Sequence, residues 1–411
     1  MFADEQLRDS LTNGQSVVWS YDSDTSVGTL GTDNSYTISN KTVTDETLTV
    51  NQTPEVANFL KATDRIQDHR PTQEKWATKQ LNKIFAWLDG QILGAMQAAA
   101  GSTVDAGDVG GSSGTPITVS SSNAPAIFTA ARRKLKNKNV IYNANKKYTG
   151  NVKLDNFGDL MPVCAIPAEL EEQLLLAIGF KPGDLGDQVL KDGYLNMLFG
   201  FNTFTSNNLP ATATYTQTAT PTNSDTVVIG GVTFTFTTSS PSSAGQVLAI
   251  TSASVSMQYL KSAMNAPYTS IDGGTAGDHA YFYPFTFGTA ATDNILGMIS
   301  ATGSGAALAI TVKGNGAVAF TATGTGMAIT NKAVHALFGT NKSIAVVLQR
   351  EPGLALSAGD LLVNGVTGGY IGKQLVTWAL AGWKVFTTQV PQIVDVVIDS
   401  SSFTAPSNTI L

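Results

Sequence analysis

The stretch LKDGYLNMLFGFNTFTSNNLPA, Leu190–Ala211, decides how the chain is read. Its apolar run, broken by Gly200 between Phe199 and Phe201, fits a strand pair or one bent strand. The run stops at Asn207-Asn208-Leu209-Pro210. That sequence turns because Asn tolerates unusual backbone angles and Pro has no N–H to give a ladder. Beyond it, from about Ala211 to about Asn331, the charged side chains are only Asp225, Lys261, Asp272, Asp278, Asp293 and Lys313. The block is rich in apolar and β-branched residues, so it reads as a small β-rich domain inserted at an exposed turn. DTVVIGGVTFTFTT predicts a hairpin with a Gly-Gly turn, and SASVSMQYLKSAMNA a short helix. AALAITVKGNGAVAFTATGTG predicts a second hairpin around Gly314-Asn315-Gly316.

Upstream, LMPVCAI predicts a buried strand. PAELEEQLLLAIGF predicts a helix opened by Pro167, with Leu170, Leu174, Leu175 and Ile178 inward. NAPAIFTAARRKLKNKNV predicts another, capped by Asn123. The strongest periodicity lies in PTQEKWATKQLNKIFAWLDGQILGAMQAAA, from Pro71 to Ala100. Ala77, Leu81, Ile84, Phe85, Leu88, Ile92, Ala95 and Met96 share one helical stripe, while Gly90 and Gly94 weaken the helix and permit a bend. Residues 1–70 alternate short β-prone runs with turn residues and hold few large apolar side chains, so they form an arm that needs a partner surface. ETLTVNQTPEVANFLKAT predicts a long hairpin around Gln52-Thr53-Pro54-Glu55. After about Val334, SIAVVLQREPGLAL predicts a buried strand ending at Pro352-Gly353, and LVTWALAGWKVFTTQVPQIVDVVID two or three more. Strands and helices mix without regular alternation, which is α+β, and a parent domain is split by the insertion.

With 411 residues, two or three domains are expected, and 42% hydrophobic content excludes gross disorder. Charged residues make up only 14%, and Thr, Ser, Ala, Gly and Asn replace them. Such surfaces can be buried against others at little desolvation cost. The net charge of −6 argues against a dedicated nucleic-acid binder. The single Cys164 excludes an internal disulfide framework and reads as a buried, inert thiol. MFADEQLRDS carries no secretory signal, and no run is long enough to span a membrane, so folding in a cytoplasm is expected.

No catalytic, cofactor or metal site is expected, and the chain reads as a non-enzyme. Gly110-Gly111-Ser112-Ser113-Gly114 matches GxSxG but lacks the strand before it and the helix after it that a nucleophile elbow needs, so it reads as a flexible linker. His69, His279 and His335 are too scattered for metal ligation, and His279 sits in GDHAYFYPF, where the aromatics form either packing or a ligand platform. Charge is distributed unevenly. The arm is acidic, including Asp45, Glu46 and Glu55, whereas residues 125–153 carry Arg132, Arg133, Lys134, Lys136 and Lys138 with no acid among them. Three readings stay open: two solvated surfaces, the acidic arm of one subunit lying on the basic strip of the next, or the strip facing nucleic acid.

An under-packed arm, a long helix and a split α+β region, in that order, resemble the major capsid proteins of tailed bacteriophages, the Hong Kong 97-type fold. IPAELEEQLLLA followed by LKDGYLNMLFGFNTFTSNNLP looks like a passage common in that family, and SIAVVLQREPG and the closing strands look like its late strands. The resemblance implies an N-arm and E-loop over 1–70 and a peripheral domain with a spine helix over 71–114. It implies an axial domain over 115–210 and 334–374, an insertion over 211–333, and returning peripheral strands with a tail over 375–411. It further implies an icosahedral shell of pentamers and hexamers around double-stranded DNA, in a virion assembled in a bacterial cytoplasm. Implied partners are other copies of the chain, a separate scaffolding protein, a portal protein, a decoration or cement protein, and packaged DNA contacted without sequence preference. No membrane partner and no crosslink from Lys41 or Lys61 are implied. The other reading is a phage tail or adhesion protein whose β-rich domain binds a host.

Overall fold

The computed structural model describes residues 3–4, 14–22, 42–61, 72–137, 162–179, 197–250, 252–272, 280–286, 293–305, 307–314, 316, 318–341, 343–356, 361–365, 368–385 and 393–401. Along the chain come β1 (Ala3–Asp4), β2 (Ser16–Asp22), β3 (Val43–Thr49), β4 (Glu55–Lys61) and the long helix α1 (Thr72–Ala98). Next are β5 (Ser102–Val104), a 3-10 turn at Ala106–Val109, α2 (Ala124–Asn137), β6 (Pro162–Ile166), α3 (Ala168–Gly179), β7 (Met197–Leu198) and β8 (Phe201–Thr205). The nearly uncharged block supplies β9 (Ala211–Gln217), β10 (Thr226–Ile229), β11 (Val232–Thr237), β12 (Gln246–Leu248), α4 (Ala253–Asn265), β13 (Ile271–Asp272) and β14 (Ala280–Phe282). It continues with α5 (Asp293–Leu296), β15 (Ile299–Thr302), β16 (Ala307–Val312) and β17 (Phe320–Thr323). The chain closes with β18 (Met327–Thr340), β19 (Ile344–Leu356), β20 (Leu361–Gly365), β21 (Gly368–Lys384) and β22 (Val394–Asp399).

Two compact units divide the chain. The first holds residues 1–88, 155–160 and 341–392. Its five-stranded sheet is built on β21, which pairs with β19, β20 and β4, while β1 adds to β19. The sequence of β21 explains how the helix lies on it. Ala379 and Ala381 are fully buried and small, so Ile84 and Leu88 of α1 settle against them, beside Trp87 and Trp383. Those rings meet edge-on at 6.2 Å. Burying Ile84 and Leu88 contributes roughly 1.5–3 kcal/mol each. One helical turn earlier, Gln80 is buried but satisfied: Thr377 Oγ1 donates to its Oε1 at 2.7 Å, and its Nε2 donates to the Leu375 carbonyl at 3.3 Å. Phe85, expected in the stripe, is 51% exposed, because it sits about 100° round the helix from Ile84.

The long hairpin expected around Gln52–Glu55 does not form. β3 pairs with β2 instead, from Ser16↔Thr49 to Asp22↔Val43, and β4 pairs with β21. The chain between them is pinned where Gln52 bridges Ala381. The extended pieces were legible, but their partners came from chain segments far away in sequence. The expected stop at Pro352-Gly353 also fails: β19 runs through both with two register shifts, and such bulges are where a strand tolerates Pro.

The second unit holds residues 89–154, 161–340 and 393–411. Its nine-stranded sheet runs β15-β16-β9-β18-β6-β8-β7, with β22 on β18 and β5 on β22. β6 and β8 are parallel, with α3 between them in sequence, so one crossover unit sits in an otherwise mostly antiparallel sheet. The opening stretch reads out here as a tight hairpin. β7 and β8 pair through Phe199 and Gly200, both with positive φ, at 50° and 83°. α2 and α3 cover the sheet, and Phe128, Phe201 and Phe338 meet near-perpendicular at 5.0–6.3 Å. Such edge-to-face contacts stabilise beyond their buried area.

The block after Ala211 is not a self-contained sheet. β9 and β16 extend the nine-stranded sheet, with β9 bonded to β18, while β10–β14 and β17 form a second, six-stranded sheet. The hairpin with Gly230 and Gly231 forms as expected, both glycines at positive φ. The one expected around Gly314 does not, since β16 pairs with β9 and β15, and β17 with β10. That loop instead serves α1. An ideal Cβ on Gly90 would lie 2.5 Å from the Gly314 Cα, so this helix glycine permits close backbone approach, while Gly94 makes room for the Lys313 side chain.

Candidate assembly surfaces

The β2–β3 ribbon has one packed and one exposed face. It has two strands and no third among the described residues. Val17, Trp19 and Leu48 turn toward Val50, Ala345 and Val347 in a small cluster. The opposite face carries Val18 at 54% and Val43 at 59% exposure. Alternation along each strand makes this inevitable, because successive side chains point to opposite faces. A two-stranded ribbon with valines in water is marginal by itself.

The acidic candidates all lie in the first unit. Asp45 is on the exposed face, where Ser20 Oγ donates to its Oδ1 at 2.5 Å. Glu46 is half-buried opposite Trp19, and Glu55 opens β4, exposed, opposite Trp378. The basic candidates lie in the second unit, on α2. Arg132 Nη1 donates to the Phe199 carbonyl at 2.6 Å. Arg133 Nη2 meets Asp108 Oδ1 at 2.9 Å, and Lys134 Nζ meets Asp108 Oδ2 at 2.5 Å and also the Thr103 carbonyl. The acid missing from the local sequence therefore arrives from the loop before α2, and it neutralises part of the strip. Arg133 keeps 60% of its side chain exposed, and Lys136 is exposed. With Thr129, Arg132, Asn137 and Phe199 these two line an open groove of about 280 Å³. Lys138 lies outside the described residues.

The loop expected to be a flexible linker is ordered around one carboxylate. Asp105 accepts from Gly107 N at 3.0 Å and Gly114 N at 2.6 Å, and from Ser113 Oγ. The Gly114 N–H chiefly holds its carboxyl below the ordinary value of 3.8. The sequence around GGSSG contains the turn residues but gives no sign that Asp105 organises them. Burial pushes the Cys164 thiol up to about 12. His335 is buried in the nine-stranded sheet, its Nδ1 2.9 Å from Asp395 and its Nε2 2.7 Å from Thr212 Oγ1. This polar clamp ties β18 to β22 and β9, and its partners are too distant in sequence to be foreseen. His69 and His279 lie outside the described residues. Among the described residues no three His, Cys, Asp or Glu side chains are grouped to hold a metal, and no helix is long and apolar enough to cross a membrane.

No family model and no curated protein matches the chain. Solved structures do. One from Mycobacterium phage Che8 is similar over 96% of this chain and 89% of its own, with a TM-score of 0.51 at 11% identity. The capsid structure of the cyanophage P-SCSP1u covers 95% and 85% of the two chains at 11% identity and a TM-score of 0.47. The capsid of Ralstonia phage GP4 covers 98% and 87% at 9% identity and a TM-score of 0.46. The chain shares the fold of the Mycobacterium phage Che8 structure. At 11% identity the likeness speaks to architecture, α+β with a long helix and a split sheet, and leaves each side chain to be argued from its own surroundings. The ribbon, the side of α1 that carries Trp76 and Phe85, and the groove on α2 are the exposed surfaces to weigh.

Proposed function

We propose that this chain is the major capsid protein of a tailed bacteriophage. It assembles into pentamers and hexamers of an icosahedral head that encloses double-stranded DNA. The β2–β3 ribbon carries this reading. It is a two-stranded element with Val18 and Val43 in water, so its burial is completed by a neighbouring subunit. Weak contacts of this kind become strong when every subunit repeats them around a closed shell. The 14% charged composition fits surfaces that meet one another. Residues 1–70 act as arm and E-loop, 71–114 as the spine region, 115–210 and 334–374 as the axial part, 211–333 as the insertion, and 375–411 as the returning strands.

Self-association is the primary partnership. The scaffolding, portal and decoration or cement proteins, non-specific contact with packaged DNA, and a place in the virion shell assembled in the host cytoplasm belong to the same proposal. Its chemistry is structural, without a catalytic step. Asp45 and Glu55 of one subunit lie over Arg132, Arg133, Lys136 and Lys138 of the next, while Glu46, half-buried beside Trp19 on the ribbon's other face, stays with its own subunit and Lys134 is held back by Asp108. The test is expression with and without a co-expressed scaffolding protein, followed by electron microscopy. Closed icosahedral shells support the proposal. Tubes, trimeric fibres or persistent monomers overturn it. Arg133→Glu with Lys136→Glu should weaken assembly most at low salt, and unchanged assembly at every salt concentration rejects the acidic-on-basic contact.

A further inference from the structure

The six-stranded sheet carries a group of tyrosines that the shell reading leaves unused. Tyr259 of α4 and Tyr281 of β14 stack face to face, with centroids 4.1 Å apart and planes 10° from parallel. Both are only half-buried. Alternation places Tyr283 on the same side of the strand as Tyr281, and its side chain is 42% exposed. Phe282, on the other side, is fully buried.

The backbone beneath is fixed. Tyr283 N donates to the Gln246 carbonyl at 2.9 Å, and its own carbonyl accepts from Gly245 N at 3.0 Å. Phe285 N donates to the Pro267 carbonyl at 2.9 Å, and its ring packs edge-on to Phe234 at 5.7 Å. Gly245 has no room for a side chain there, since an ideal Cβ would lie 2.6 Å from Phe285 Cζ. Tyr281 and Tyr283 are thus mounted on hydrogen-bonded backbone and Tyr259 on α4, while their rings stay partly accessible. Tyrosine gives broad amphipathic contact at small entropic cost, and a rigid mount lowers that cost further.

The ligand chemistry follows from charge. Asp225, Lys261, Asp272, Asp278, Asp293 and Lys313 are the charged residues of the whole 211–331 block. Lys261 is engaged with the Gly303 carbonyl at 3.1 Å. A surface with so little positive charge, and with Asp272 paired across from Ala280 of β14, selects against polyanions, whose desolvation it cannot offset. Apolar ring faces edged by hydroxyls, with Thr269 and Ser270 exposed in the neighbouring turn, match the alternation of C–H faces and hydroxyl edges on a neutral pyranose. We propose that Tyr259, Tyr281 and Tyr283 form a platform that binds neutral polysaccharide, so that the block attaches the assembled particle weakly to glycan surfaces.

The test is affinity electrophoresis and particle pull-down on dextran, neutral arabinogalactan and, as the anionic control, hyaluronan. The samples are the full chain, assembled or not, and the variants Tyr283→Ser, Tyr281→Ser with Tyr283→Ser, and Tyr281→Phe. Retardation on at least one neutral polymer, insensitive to salt, is expected. The double variant should bind roughly tenfold more weakly, as loss of a stacking contact implies, and Tyr281→Phe should retain binding. No retardation of the full-length protein on either neutral polymer overturns the proposal. So does binding that survives the double variant, or binding confined to hyaluronan and abolished by salt. If the double variant, with unchanged melting temperature, loses self-association instead, the face is a protein interface and the proposal is wrong. Binding by protein that forms no shells would support the platform while the capsid reading fails, so the two outcomes stay separable.

Discussion

Gly90→Ala sets two opposing effects against each other. In a solvent-facing helix, replacing Gly by Ala stabilises by about 1 kcal/mol. Gly90 is buried, and its new Cβ would lie 2.5 Å from Gly314 Cα and 3.1 Å from Gly314 N. The optimum for such atoms is about 3.5–4.0 Å, so roughly 1 Å of separation must be opened between two backbones. No flexible side-chain end is there to yield. Gly314 cannot retreat easily either, because its φ is 73° and the contact is reciprocal, with its own ideal Cβ 2.6 Å from Gly90 Cα. Overpacking of this kind costs about 1–3 kcal/mol, more against backbone, so the clash outweighs the propensity gain. We expect net destabilisation of about 2 kcal/mol, a fall of roughly 4–8 °C in melting temperature. Gly297→Ala is the control, since nothing lies within 4 Å of its ideal Cβ and it should change stability by less than about 0.5 kcal/mol. Thermal unfolding of both variants by circular dichroism decides it. A Gly90→Ala protein that melts higher than the parent would refute the close approach of Gly90 to Gly314.

Three further outcomes follow from the second unit. Asp108→Ala should lower stability by about 1 kcal/mol through loss of its pairs with Arg133 and Lys134, discounted because Arg133 is largely exposed, and added salt should shrink the difference in denaturant midpoints. Cys164, with its thiol raised to about 12, should resist aromatic disulfide reagents at pH 8 in the native protein and react fully once unfolded. Asp105 has a depressed carboxyl pKa, so its contribution is complete above the unfolded value of 3.8 and is lost as pH falls through the lower folded value. Asp105→Asn should therefore narrow its stability gap to the parent protein below about pH 3.8, measured by thermal melts across pH.

The elements that repeat locally were readable from residue order alone. The stripe of Ile84 and Leu88, the leucines of α3 and the Gly230-Gly231 turn each encode their geometry within a few residues. Pairing partners did not follow, because strand registry depends on segments remote in the chain. β3 could have closed a hairpin with β4, yet β2 holds it, and β16 leaves β17 for β9. The same distance hid the charge partners. Asp108 sits well before Arg133 and Lys134, outside the basic run of residues 125–153. Asp395 lies sixty positions from His335, so their bond is invisible to any local window. The unusual exposure of Val18 and Val43 was foreshadowed only by the poverty of large apolar residues before residue 70.

The most direct measurement is amide hydrogen exchange over residues 16–22 and 43–49, compared between isolated protomers and assembled particles. Strong protection in particles and little in protomers is the predicted result, since the ribbon finds its missing surface on neighbouring subunits. Equal, strong protection of both segments in a protomer that never associates would contradict the account.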